Sequence, residues 1–132
     1  MNILAVDPGT EKCGLAVLSD ALKVLDKKIV DPDVLTREII SFASRYAVSK
    51  IVIGEGTGSK FIKKELSLVE LPVDVVFIPE AFSTLDARKR YYNDNPPKLF
   101  FRILPVSLLV PPCPIDDYAA VVLGERYLKF SD

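Results

Sequence analysis

Short apolar runs separated by turn signals open the chain and predict a meander of three strands. The first run covers residues 3–6 and ends in Asp-Pro-Gly-Thr, the second covers 14–18, and the third covers 22–30. Because the connection between the first two runs is short, we expect these strands to pair antiparallel. The third run is broken by charged residues, which favours a position at an edge of the sheet.

Helical and strand patterns alternate along the rest of the chain. An Asp-Pro pair opens the first helical pattern, and residues 93–114 hold six of the ten prolines and predict a loop. The predicted order is helix, strand, helix, strand, helix, helix over residues 32–46, 50–54, 59–69, 73–78, 83–92 and 116–129. The third of these helices begins with the form of a capping box, in which Ser83 is the cap and Asp86 the acidic residue.

Strands that are joined by crossover helices run parallel, so strands 1, 4 and 5 should form a parallel group. Strands 2 and 3 should then lie antiparallel beside strand 1. The sequence therefore predicts an α/β fold, with a five-stranded mixed sheet in the order 3-2-1-4-5 and flanking helices. With 132 residues and no internal repeat, the chain predicts a single domain over residues 1–132.

The composition excludes several classes of protein. The 17 basic and 18 acidic residues give a net charge of −1, so any binding of nucleic acid must use a local patch. There is no histidine, which excludes Ser-His-Asp and Cys-His catalysis and histidine-containing zinc sites. The two cysteines are far apart and predict no disulfide framework. The absence of a signal-like start and of a long apolar run predicts a cytoplasmic protein with no membrane partner.

Acidic residues follow the three strands that we expect to be parallel. Asp7 ends strand 1, Glu55 ends strand 4 and Glu80 ends strand 5, and such strand ends meet at one edge of a sheet. Like charges on neighbouring strands, about 5 Å apart, destabilise the fold unless a cation lies between them. Carboxylates without histidine or thiolate ligands suit Mg²⁺ or Mn²⁺. Each residue alone could equally be a turn or loop residue, and only the combination indicates a metal site.

The last helix adds a further acidic pair. Asp116 is in register with an apolar stripe that should face the sheet and bring the carboxylate to the strand ends. The stripe consists of Ala119, Ala120, Leu123 and Tyr127. Asp117 is rotated from it by about a third of a turn. Either aspartate could instead be a helix cap, so the choice between them stays open.

Three segments carry a resemblance to a known family. Asp7-Pro8-Gly9 with the following Gly14-Leu-Ala is similar to an opening pattern D-x-G-x-x-x-x-G-x-A. Residues 79–87, PEAFSTLDA, are similar to D-E-R-L-T-T-x-E-A, and residues 115–120, IDDYAA, to I-D-x-x-A-A. These patterns, in this order, resemble the YqgF/RuvX family, which is related to RuvC within the ribonuclease-H-like superfamily. The resemblance covers nearly the whole chain and implies a ribonuclease-H-like fold.

The resemblance also implies a function and a set of site residues. The acidic residues of the family correspond to Asp7, Glu80 and Asp116, which would be both catalytic residues and metal ligands. Glu55 stands where a RuvC-like relative has an acidic ligand, and Ala81 stands where the family usually has arginine. Members are described as Holliday-junction resolvases and as nucleases that mature the precursor of small-subunit ribosomal RNA. The implied protein is a Mg²⁺- or Mn²⁺-dependent endonuclease with a two-metal mechanism.

Local groups of basic residues are the candidates for binding a nucleic-acid backbone. Each group could also be a solvated helix face. On the family resemblance we expect structured RNA as the partner, with branched DNA as the alternative, and a monomer or a weak homodimer. The candidate residues are Lys12, Lys60, Lys63, Lys64, Arg88, Lys89 and Arg90.

Two other classes of protein remain as alternatives. The turn after strand 1 also resembles the phosphate-binding turn of actin-like ATPases, but those proteins build the nucleotide site from two such domains. A catalytically silent interaction module is the second alternative, because the proline-rich segment would supply an apolar surface. That surface would consist of Leu99, Phe100, Phe101, Leu108 and Leu109.

Overall fold

The fold is a mixed sheet with helices on both faces. The computed structural model describes residues 1–56, 58–71, 73–79, 84–97, 104–105, 109 and 111–130. The strands and helices are β1 Asn2–Asp7, β2 Cys13–Ser19, β3 Val24–Val30, α1 Leu35–Arg45, β4 Val48–Glu55, α2 Ser59–Ser67, β5 Asp74–Pro79, α3 Thr84–Asp94 and α4 Asp116–Phe130. A short 3-10 turn, Pro32–Val34, leads into α1.

The five strands lie in the order β3-β2-β1-β4-β5. β1 pairs antiparallel with β2, and β2 with β3, whereas β1, β4 and β5 are parallel. This confirms the order and the directions predicted from the sequence. The ends of β1, β4 and β5 therefore meet at one edge of the sheet, which we call the carboxyl edge.

The predicted element boundaries differ from the observed ones where the chain makes tight turns. β3 begins at Val24 rather than at residue 22, because Leu22 has a positive φ of 65° in the turn that follows β2. The turn is closed by a hydrogen bond from the backbone N–H of Leu22 to the carbonyl oxygen of Ser19. The capping serine predicted for α3, Ser83, lies outside the described residues.

Side chains alternate between two apolar layers along β1. Leu4 and Val6 lie in the layer under α1 and α2, and Ile3 and Ala5 lie in the layer under α4. Asp7 lies two residues after Ala5, so its carboxylate is on the same face of the sheet as Ile3 and Ala5, the face covered by α4. This alternation determines which face of the carboxyl edge carries the candidate site.

Helix α4 packs very closely on the sheet. A Cβ built on Gly124 would lie 3.2 Å from the Cβ of Ala5 and 2.7 Å from a methyl group of Leu18, so glycine permits this approach. Among the described residues, no helix has both the length and the hydropathy that crossing a membrane requires.

Candidate active site at the carboxyl edge

Asp7 ends β1 between two glycines. Its register partner on β2 is Gly14. On the other side the pair Val6–Ile53 places Gly54 beside it, and an Asp7 carboxylate oxygen lies 4.0 Å from the position of a Cβ on Gly54. Since glycine has no side chain, neither neighbouring strand fills the space beside this carboxylate.

The first turn of α4 lies directly on Gly14. A Cβ built on Gly14 would overlap the carbonyl oxygen of Asp116, and it would lie 2.5 Å from the Asp116 carbonyl carbon and 3.0 Å from the Asp117 nitrogen. Antiparallel register partners have Cα atoms about 5 Å apart, so the backbone of Asp116 lies next to Asp7. The fold thus brings together two acidic residues from opposite ends of the sequence.

The pKa of the Cys13 thiol is affected by its burial and by the charges of Asp7 and Asp116. Cys13 is fully buried, and its sulfur lies 3.4 Å from the nitrogen and 3.5 Å from the oxygen of Gly9. Burial raises the pKa of Cys13, the hydrogen bond with Gly9 offsets part of this rise, and the charges of Asp7 and Asp116 raise the pKa further. Burial and the surrounding negative charges thus act in the same direction and keep this thiol protonated to a higher pH than an ordinary cysteine.

Asp117 has a different environment from Asp116. Its Oδ2 accepts a hydrogen bond of 2.6 Å from Nζ of Lys27 on β3, and the residue is only 8% exposed. Burial alone would lower the pKa of Lys27, but the hydrogen bond to Asp117 and its charge raise the pKa above its usual value. Asp117 is therefore engaged with β3, whereas Asp116 lies against Gly14 beside Asp7.

The orientation of α4 differs slightly from the predicted stripe. Asp117 and Gly124 are buried with Ala120, whereas Ala119 of the predicted stripe is only half-buried. Leu123, seven residues after Asp116, lies 3.6 Å from the Cβ position of Gly54. The line of the helix that carries Asp116 therefore faces β1 and β4, while Asp117 faces β3.

The structure does not bring Glu55 to Asp7. Glu55 follows Gly54 on β4 and is exposed, and its Oε2 accepts a hydrogen bond of 2.6 Å from Nζ of Lys63 on α2. By strand alternation it belongs to the α1 and α2 face. Glu80 follows Pro79, the last residue of β5, and lies outside the described residues. Within the described ranges, no group of three or more potential ligands is placed to hold a metal ion.

The basic candidates divide into two groups. Three of them have partners within the protein: Lys12 with Asp31 at 2.7 Å, Lys63 with Glu55, and Arg90 with Asp94 and Glu125. The hydrogen bond to Asp31 raises the pKa of Lys12 and the charge of Asp116 adds to the rise, so Lys12 lies near the site. The other four make no ion pair with a described residue: Lys60, Lys64, Arg88 and Lys89.

A groove of about 270 Å³ lies beside the turn after β1, on the α1 and α2 face. The turn and the start of α2 touch, because a Cβ on Gly58 would lie 2.9 Å from the carbonyl oxygen of Gly9. Gly58 also has a positive φ of 87°, which glycine adopts without strain. Phe61 lines the groove and is 54% exposed.

Sequence reasoning missed two contributions to this site. The sequence showed Gly14 only as a glycine of the motif that begins at Asp7, and it did not show that Gly14 lets α4 approach β2. Lys27 stood among the charges of a predicted edge strand, and no local signal connected it with Asp117. The apolar surface proposed for an interaction module is described only at Leu109, which is buried.

Comparisons with known proteins agree at the level of the fold. No protein-family model matches this sequence, and no curated protein does. RuvC of T. thermophilus, in a structure with a Holliday junction substrate, is 15% identical with a TM-score of 0.59, over 99% of this chain and 96% of that chain. A fowlpox virus resolvase in a structure with Holliday junction DNA is 17% identical with a TM-score of 0.61, over 98% and 97%. The chain has the RuvC-like ribonuclease-H fold.

Proposed function

We propose that this protein is a metal-dependent nuclease that hydrolyses phosphodiester bonds in branched or structured nucleic acid. One observation carries the proposal. Asp7 and the first turn of α4, with Asp116, lie together at the carboxyl edge, where Gly14 lets the helix approach. Ligands of open α/β sheets usually bind at this edge.

The donor set suits a hard cation. Asp7 and Asp116 offer carboxylate oxygens from two different elements, and we propose Glu80 as the third ligand because it follows β5 directly. Glu55 and Asp117, the additional candidates from the sequence, are paired with Lys63 and Lys27 and face away from this pair, so we do not assign them as ligands. Mg²⁺ or Mn²⁺ in a two-metal arrangement would supply a hydroxide nucleophile at neutral pH and offset charge on the departing oxygen.

Cations on the helices that follow β4 and β5 would hold the substrate backbone. Lys60 and Lys64 on α2, with Arg88 and Lys89 on α3, are the candidates that no described carboxylate neutralises. Because the net charge is −1, binding must depend on such a local patch and should weaken as salt rises. Phe61 offers an exposed ring for stacking beside the turn that follows Asp7.

Branched DNA is the substrate that we place first. Both similar structures named above hold Holliday junction DNA, which supports a DNA junction for this chain too. Precursor ribosomal RNA is the second candidate, and it rests on the resemblance of the sequence motifs. Both substrates require the same cleavage of a phosphodiester.

The test is a cleavage assay on a four-way DNA junction, a linear duplex and a structured RNA, with Mg²⁺, Mn²⁺ or EDTA. We expect the wild type to cut the junction only with metal, and Asp7→Asn and Asp116→Asn to lose more than about 100-fold in rate. A loss of about 100-fold is the most that removing a group which only orients a metal ligand typically causes, so a larger loss indicates a ligand. Asp74→Asn is the matched control, because Asp74 is exposed at the opposite end of β5.

Two results would refute the proposal. One is retention of wild-type cleavage by a clean Asp7→Asn sample. The other is a wild type that cuts none of the three substrates, and binding without cleavage would then favour the silent interaction module.

A further inference from the structure

Lys27 and Asp117 form an ion pair between the edge strand and the last helix. Nζ of Lys27 lies 2.6 Å from Oδ2 of Asp117, and the two side chains are 34% and 12% exposed. The same ammonium group lies 4.5 Å from the ring centroid of Tyr118. Lys27 is paired in the sheet with Ala16, whose side chain belongs to the layer under α4. The ion pair therefore lies within the α4 face rather than on an outer surface.

The pair holds the turn of α4 that carries Asp116. The second oxygen of Asp117 accepts a hydrogen bond of 2.9 Å from the backbone N–H of Tyr118, so the carboxylate connects the helix start to Lys27. The Tyr118 hydroxyl lies 3.3 Å from Asp94 and accepts a hydrogen bond of 3.2 Å from Asn95. The backbone N–H of Tyr118 also donates to the carbonyl oxygen of Ile115 at 3.0 Å. The first turn of a helix has few intrahelical partners for its N–H groups, so contacts to other elements help to hold it.

Gly14 and Lys27 contribute differently to this arrangement. Gly14 permits the close approach of Asp116, but it supplies no side chain that could hold the helix in place. Neighbouring residues on a helix differ by about 100° in direction, so a contact that fixes Asp117 also fixes Asp116. The apolar residues of α4 pack its middle on the sheet, and the contact to β3 adds a polar constraint at the first turn, which carries Asp116.

We infer that Lys27 is a positioning residue of the proposed nuclease site, acting through Asp117 to present Asp116 to Asp7. The inference rests on the proposed function. Lys27 would not touch substrate or metal, and its effect would reach the chemistry only through the first turn of α4.

The neighbouring lysine offers a matched control. Lys28 lies on the opposite face of β3 and pairs with Glu38 of α1 at 3.2 Å. Lys28→Met therefore removes one positive charge from β3, as Lys27→Met does, and it breaks an ion pair to α1 instead of the ion pair to α4. Lys27→Met leaves the buried Asp117 without its cation, which destabilises a fold. The double variant Lys27→Met/Asp117→Asn removes both charges and keeps the test valid if the single variant folds poorly.

The experiment compares kcat and KM on the cleaved substrate, and Mn²⁺ affinity by direct titration, at a temperature where every variant is folded. We expect Lys27→Met and Asp117→Asn to lose about tenfold or more in kcat and in Mn²⁺ affinity, with KM within about twofold. The double variant should match the single variants, because both act on one contact. Lys27→Arg should recover most of the loss, and Lys28→Met should resemble wild type.

Wild type and Asp7→Asn are measured first, so that a failure of the proposed nuclease function can be distinguished from a failure of the positioning role of Lys27. A wild type with neither cleavage nor Mn²⁺ binding refutes the proposed function and this inference with it. If wild type is active but Lys27→Met equals Lys28→Met, the positioning role is wrong. A raised KM with a weaker salt dependence in Lys27→Met would instead identify a phosphate contact and would also overturn the inference.

Discussion

The close contact between Gly14 and the start of α4 makes Gly14→Ala a sharp test of the site. The added Cβ would overlap the carbonyl oxygen of Asp116 and lie 2.5 Å from its carbonyl carbon. These are backbone atoms, so no side-chain rotation can relieve the overlap. Gly14 is also not among the residues with a positive φ, so alanine introduces no backbone strain of its own.

The size of the expected displacement follows from these distances. Two non-bonded carbons normally lie at about 3.5 Å or more, so the carbonyl carbon alone requires the first turn of α4 to retreat by about 1 Å, and the closer carbonyl oxygen requires more. Displacements of about 1 Å in an active site can lower the rate about 100-fold. Forcing extra volume into a packed contact typically destabilises a protein by about 1–3 kcal/mol. Gly14→Ala should therefore fold, with reduced stability, and lose most of its metal-dependent cleavage.

Gly54→Ala provides the matched control on the other side of Asp7. A Cβ there would meet Leu123 at 3.6 Å and the Asp7 carboxylate at 4.0 Å, which are ordinary contact distances. The assay measures kcat for both variants, with thermal melting to show that each is folded. Wild-type cleavage by Gly14→Ala, or an equal loss of activity in both variants, would refute this role of Gly14.

Two further predictions concern metal and thiols. Mg²⁺ should raise the melting temperature of wild type, because a ligand at 100 times its Kd adds about 2.7 kcal/mol to the free energy of unfolding. Asp7→Asn should lose most of this rise in thermal melting. A full rise in Asp7→Asn would place the metal elsewhere. The exposed Cys113 should react with a thiol reagent at pH 8, whereas the buried Cys13 should react only on unfolding. Because burial raises the pKa of Cys13 above its ordinary 9.0, the unfolded thiol ionises first. The free energy of unfolding should therefore fall above about pH 9, less steeply in Cys13→Ala, and equal slopes would contradict this.

The sheet order was predictable from the sequence, but the direction of the carboxylates was not. Both β1 and β4 are buried on their two faces, so their apolar runs do not alternate and do not reveal which side chains face which helices. The register of β4 decides the outcome. Asp7 aligns with Gly54, and Glu55 is one residue further, which turns its side chain to the opposite face. Two acidic residues at adjacent strand ends thus reached different environments.

The position of α4 was also only partly predictable. A helix with a run of buried residues from Ala120 to Gly124 is apolar on several sides, so its sequence does not define a single stripe. Its first turn contacts β3 through the ion pair of Asp117 with Lys27, two residues that are 90 positions apart in the chain. Charges on an edge strand usually face water, and nothing in the sequence near Lys27 indicates a partner on α4.

Helix α3 is tied to α4 by charged side chains, and this links the proposed substrate contacts to the site. Nε of Arg90 lies 3.1 Å from both carboxylate oxygens of Glu125 on α4, and Nη1 lies 2.7 Å from Asp94. Arg90, predicted to bind nucleic acid, is thus occupied within the protein, and it is half-buried. Its neighbours Arg88 and Lys89 have no such partner among the described residues. Because the ion pair of Arg90 with Glu125 joins α3 to the helix that carries Asp116, the proposed substrate contacts on α3 and the proposed site are connected through one element of the fold.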